Sequence, residues 1–236
     1  MSNISFNPNL SYKWLTNVTL LQKIIMLPVP SFYIPNTQIY PENPPELNTI
    51  FDNILPRIFD QDTLVKCLNY SSSLIKYKTM IVLCLAFQKL NTVVNSINKA
   101  RSSKWNQIID SLYEKMKHRI PNIQILLNLY HGILGGRKDL SSDMKRNENS
   151  DEQIRNNLMY ECILKLIKLY YLHILEAITE VKLNVDNLIP VDFQQSQLGL
   201  QLNMLELLLL IAKSSWTINS GKFFYFLSFF FYKETK

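Results

Sequence analysis

Side chains able to do chemistry are few and far apart in this sequence. The three histidines, His118, His131 and His173, have no partner at i+4 and no nearby cysteine, so they lack the spacing of a metal site. Cys67, Cys84 and Cys162 are odd in number and show no metal or redox motif; they read as reduced thiols of a cytosolic or nuclear protein. The stretch NSGK at 219–222 resembles the end of a phosphate loop. The first glycine of that motif would fall on Trp216, where the backbone could not curl around phosphates. Glu161 and Lys165 form a favourable i, i+4 pair and read as a solvated helix face. No serine or cysteine sits in a nucleophile setting. The expectation is a protein that is not an enzyme, with no cofactor, no metal and no small-molecule substrate.

The remaining chemical feature is charge. Residues 63–119 hold ten Lys or Arg against only Asp110 and Glu114, in a chain whose formal net charge is +6. The candidate nucleic-acid contacts are Lys76, Lys78, Lys89, Lys99, Arg101 and Lys104. Lys78 and Lys89 are eleven apart, nearly in phase on a helix, and the last three cluster at its end. Such a patch could neutralise phosphates of RNA without reading sequence. The same lysines could equally solubilise an outer face and favour the C-terminal end of the helix dipole. A richness in Lys, Asn and Ile suggests an AT-rich genome and discounts the basicity, and phosphate recognition leans on arginine more than lysine. Both readings stay open. The pairs Arg137-Lys138 and Lys145-Arg146 could serve nuclear import.

These side chains must be positioned by helices. The chain has 236 residues, of which 47% are hydrophobic and five are glycine, and it has no Asn-Gly or Asp-Gly hairpin signal. Apolar residues recur three and four apart along most of it, which predicts an all-α fold: an irregular armadillo- or HEAT-like solenoid, or a helical bundle. Helices are expected from about Ser11 to Met26, burying Trp14, Val18, Leu21 and Ile25, and after Pro44-Pro45, burying Leu47, Ile50, Phe51 and Ile54 until Pro56. A short one capped by Asp62 should bury Leu64, Val65 and Leu68. A long one capped by Ser71 or Ser72 should run to about Asn98, with MIVLCLAF buried on every side. SKWNQIIDSLYEKMKHR, PNIQILLNLYHGIL (closed by Gly135-Gly136), a long helix over 152–183 and QLGLQLNMLELLLLIAKSS complete the set. The domain reading is a helical segment over 1–215, with a Pro-rich connection at 27–45 and a mobile loop at 135–151. An aromatic tail at 216–236 does not fit the pattern and reads as a sign of an incomplete chain. No apolar run reaches the ~20 residues that span a bilayer, and the amino terminus lacks a signal-peptide pattern. No membrane partner is expected.

Three blocks taken together, LTNVTLLQKIIMLPVPSFYIP (15–35), ILPRIFDQDTLVKCLNYSSSLIKYKTMIVLCLAFQKL (54–90) and RIPNIQILLNL (119–129), resemble in order and spacing the N-terminal region of the nucleolar pre-ribosomal-associated protein 1 family. The resemblance covers roughly residues 10–215, although family members are several times longer. Tyr70 stands where a histidine-like polar residue would be expected. The resemblance implies a nucleolar scaffold for the large (60S) ribosomal subunit. Such a scaffold would act in early pre-60S particles with pre-rRNA and other assembly factors, with a helical-repeat fold and no catalysis. The alternative is a helical module that binds only proteins.

Overall fold

The computed structural model describes residues 5–29, 42–99, 103–138, 150–174, 188 and 198–213. Among them are eight α-helices and no strands, so the all-α expectation holds. In chain order they are α1 (Tyr12–Met26), α2 (Leu47–Ile54), α3 (Gln61–Leu68), α4 (Ser73–Asn98), α5 (Ser103–Arg119), α6 (Ile123–Lys138), α7 (Ser150–His173) and α8 (Leu198–Lys213).

Local chemistry sets most of the boundaries. The Ser11 hydroxyl accepts the Trp14 N–H at 3.3 Å and starts α1. Its other end is set by Pro28, which forces the preceding Leu27 out of helical geometry to φ −59°, ψ 142°. Pro56 likewise ends α2 by holding Leu55 extended. The cap of α3 is Asp60, not the expected Asp62. The Asp60 carboxylate accepts the Thr63 N–H at 2.9 Å, whereas Asp62 lies inside the first turn. Both carboxylates suit a helix start; the turn after Pro56, in which the Phe59 N–H bonds the Pro56 carbonyl, ends the loop early enough for Asp60 to take the cap. The buried face of α3 is Leu64, Cys67 and Leu68, with Val65 half-buried. Helix α6 continues through Gly135-Gly136 to Lys138. Glycine costs about 1 kcal/mol in a helix relative to alanine, but it stops one only where the chain turns left-handed. The predicted loop at 135–151 is thus shorter at both ends, and its residues 139–149 lie outside the described residues. So do 30–41 of the Pro-rich connection, 175–183 of the stretch expected to be helical over 152–183, and the tail at 216–236.

The core gathers on α4. Its side chains Ile75, Met80, Val82, Leu83, Ala86, Phe87, Leu90, Val93 and Ile97 are buried, and the helix packs against α1, α2, α3, α5 and α7. Of MIVLCLAF only Ile81 and Leu85 are left half-buried. By length and composition α4 could cross a bilayer, yet its apolar surface is taken up by five neighbouring helices, as in a core helix. A second tier follows, with α7 meeting α4, α6 and α8. Tyrosines and polar side chains fasten the connections to this framework. The Tyr170 hydroxyl donates to the Pro121 carbonyl at 2.7 Å, and that of Tyr130 donates to the Leu188 carbonyl. Gln61 reaches the Ile120 carbonyl at 3.0 Å. The segment before α1 is held by Trp14, whose indole N–H donates to the Phe6 carbonyl at 3.2 Å, and by Phe6 packing edge-on to Phe59.

Candidate binding surfaces

No group of three or more His, Cys, Asp or Glu able to hold a metal occurs among the described residues. His118 is exposed beside Glu114, and His131 sits edge-on to the Tyr130 ring. His173 is stacked between Phe87 (5.8 Å, 21° between planes) and Tyr113 (6.2 Å, 19°), and burial lowers its pKa. The three cysteines are free and buried. Burial pushes the Cys67 thiol up to about 11, and the Cys162 thiol is raised by its hydrogen bond to Cys84 and by burial. Cys67 and Cys162, held protonated in this way, are poor nucleophiles, while the buried Cys84 thiol is lowered by its hydrogen bond with Cys162.

The five described cations among the six proposed from sequence do not share one face. Lys89 is the clearest departure: it is buried, 8% exposed, and turned inward. Its ammonium donates to the Ile25 carbonyl at 3.1 Å and to the Leu27 carbonyl. These belong to the end of α1, where Pro28 stops the helix and offers no N–H of its own. Lysine 89 therefore caps a neighbouring helix, and burial lowers its pKa. Lys104 is exposed but engaged, 3.2 Å from the Glu42 carboxylate and 3.1 Å from the Asn43 amide oxygen. Lys76 and Lys78 are half-buried and, two residues apart on α4, point about 200° apart around the helix. Lys99 is the exposed C-cap of α4, and Arg101 lies outside the described residues. Farther on, Lys115 bonds the Asn48 amide oxygen and lies over the Phe51 ring, and Arg119 reaches the Pro56 carbonyl at 3.4 Å. Lys168 pairs with Glu206 of α8. Much of the local excess charge is thus spent inside the molecule, stitching helix ends together. Sequence spacing could not show this, because the partners of Lys89, Lys104, Lys115 and Arg119 lie more than sixty residues away, and most are backbone carbonyls or amides.

A different surface escaped sequence reading. A groove of about 700 Å³ opens between the start of α4 and the first turns of α7. It is lined by Leu10, Leu74, Leu158 and Met159, with Ser71–Ser73, Tyr77 and Arg155 beside them. Leu10, Leu74 and Leu158 are 55%, 42% and 46% exposed. The only signal in the sequence is that Leu74 and Leu158 fall off the buried stripes of their own helices.

No family model matches the chain, and no solved structure matches it. The chain is similar to nucleolar pre-ribosomal-associated protein 1 of Saccharomyces cerevisiae, at 25% identity over 138 residues. The match covers 58% of this chain and 8% of that protein's length.

Proposed function

We propose that this chain is a non-enzymatic helical scaffold in nucleolar assembly of the large ribosomal subunit. In this reading it holds other assembly factors against its helix faces and grooves, in a pre-60S setting with precursor rRNA nearby. The observation that carries it is the similarity, across 138 residues, to a protein whose name places it with pre-ribosomes. The helical architecture with exposed apolar side chains is compatible with docking proteins. The test follows the tagged full-length protein in its own cells. Nucleolar staining and co-sedimentation with large-subunit precursors support the reading. Diffuse staining with sedimentation as a free protein refutes it.

Direct contact with pre-rRNA is a second reading, now narrower than the six cations. What favours it is that Lys78 and Lys99 have no ion pair among the described residues. Of the five described candidates, they are the ones left to meet a phosphate, together with Lys76 on another face of α4. A salt titration of RNA binding tests it. Each phosphate contact removed should flatten the slope of log affinity against log salt by about one. Lys78→Ala and Lys99→Ala should each show that loss; an unchanged slope leaves the protein-only module.

A further inference from the structure

Resting on the scaffold reading, we propose that the groove between the start of α4 and the first turns of α7 docks an acidic, leucine-rich segment of a partner protein.

Two kinds of observation converge on that occupant. The first is apolar. Leu10, Leu74 and Leu158 come from three separate stretches of chain, remain 42–55% exposed, and share one concavity with the buried Met159. Exposed apolar side chains are ordinary when scattered; gathered into one concavity they mark a place that gains by being covered. A volume of about 700 Å³ takes several side chains rather than a whole domain face.

The second is charge of a single sign. The start of α4 has no acidic residue in its first turn, and the Ser72 side chain makes no cap bond. The first N–H groups of a 26-residue helix are therefore left without a side-chain acceptor there, at the positive end of its dipole. Lys76 follows within the next turn, and Arg155 lines the same groove from α7. Among the described residues that line it, none is a carboxylate. Glu152, one turn before Arg155, is exposed and makes no ion pair with it. An Asp or Glu placed between Ser72–Ser73 and Arg155 would receive both backbone and guanidinium donors, while flanking leucines cover the apolar lining.

RNA fits less well. Single strands are gripped by stacking bases on aromatic rings along a basic track, and this groove offers leucines and one half-buried ring, Tyr77.

The test uses the full chain and a short fluorescein-labelled peptide alternating glutamate and leucine, followed by fluorescence anisotropy. The comparison probes are the same peptide with lysine for glutamate, and a labelled oligouridylate. Arg155→Glu and Leu158→Glu change exposed side chains, and circular dichroism checks that both stay folded. The expected result is binding of the glutamate peptide that falls about tenfold or more in each variant, with Arg155→Glu now preferring the lysine peptide. Equal affinity of the wild type for both peptides, unchanged affinity in both variants, or displacement of the peptide by oligouridylate overturns the proposal. Gradient sedimentation of wild type and Leu158→Glu separates the two ideas. Particle association without peptide binding sinks the groove alone. Peptide binding without particle association sinks the ribosomal reading and leaves the groove.

Discussion

Replacing Lys89 with methionine separates a structural lysine from an RNA-binding one. The wild-type ammonium makes two charge-assisted hydrogen bonds, to the carbonyls of Ile25 and Leu27, at an 8% exposed site. Methionine keeps the stem but removes both donors. Each charge-assisted bond contributes about 1.5–3 kcal/mol, and each buried carbonyl left without a donor costs about 1–3 kcal/mol. Opposing this is the relief of no longer burying a charge, itself several kcal/mol in an ordinary interior. The lowered pKa of Lys89 shows that this desolvation is felt. The balance is a loss of about 2 kcal/mol. With a urea dependence of about 2 kcal/mol per molar, the unfolding midpoint followed by circular dichroism should fall by about 1 M. The RNA reading of the same residue gives the opposite pattern, with stability untouched and the salt dependence of RNA binding flattened. A Lys89→Met protein that unfolds at the wild-type urea concentration would refute the inward assignment.

Four other outcomes follow from the contacts described. Asp60→Ala should cost about 1 kcal/mol by removing the α3 cap, whereas Asp62→Ala should stay within about 0.5 kcal/mol; chemical denaturation of the two side by side checks the reassigned cap. The stability contributed by Asp60, whose pKa is lowered chiefly by its hydrogen bonds to Thr63, should vanish only as pH drops below 3.8 through its folded value. His173 has a folded pKa below its ordinary 6.5, so the unfolded chain takes up its proton first; stability should decline as pH falls from about 6.5, and His173→Phe should flatten that decline in urea melts. Tyr170→Phe removes the buried bond to the Pro121 carbonyl and should lower stability by about 1–2 kcal/mol, read as a midpoint shift with unchanged urea dependence.

Helix existence was legible because it depends on short-range pattern. Trp14, Val18, Leu21 and Ile25 repeat at helical spacing and are all buried, and prolines 28 and 56 mark ends that any reader of backbone sterics would find. Choosing between Asp60 and Asp62 as cap needed the geometry of the turn before it. The end of α6 was misplaced because Gly135-Gly136 permits a stop without requiring one. The candidate surface was less legible for a different reason. Lysines 78 and 89 share a phase, as their spacing says, but phase does not reveal which side of α4 meets α1. A lysine capping a foreign helix looks identical, in sequence, to one facing solvent. The groove depends on Leu10, Leu74 and Leu158 meeting across well over a hundred residues, a coincidence no local pattern encodes.

Because α4 forms a shared wall with five other helices, this part of the molecule is not divisible into repeat-sized pieces. Strict solenoids lose a terminal unit and keep the rest, since each unit leans only on its neighbours. Here a chain cut anywhere between α1 and α5 strands apolar surface on every fragment. Gene fission, fusion junctions and split-reporter insertions at those points should therefore yield insoluble halves, and the workable seams lie beyond the helices that touch α4.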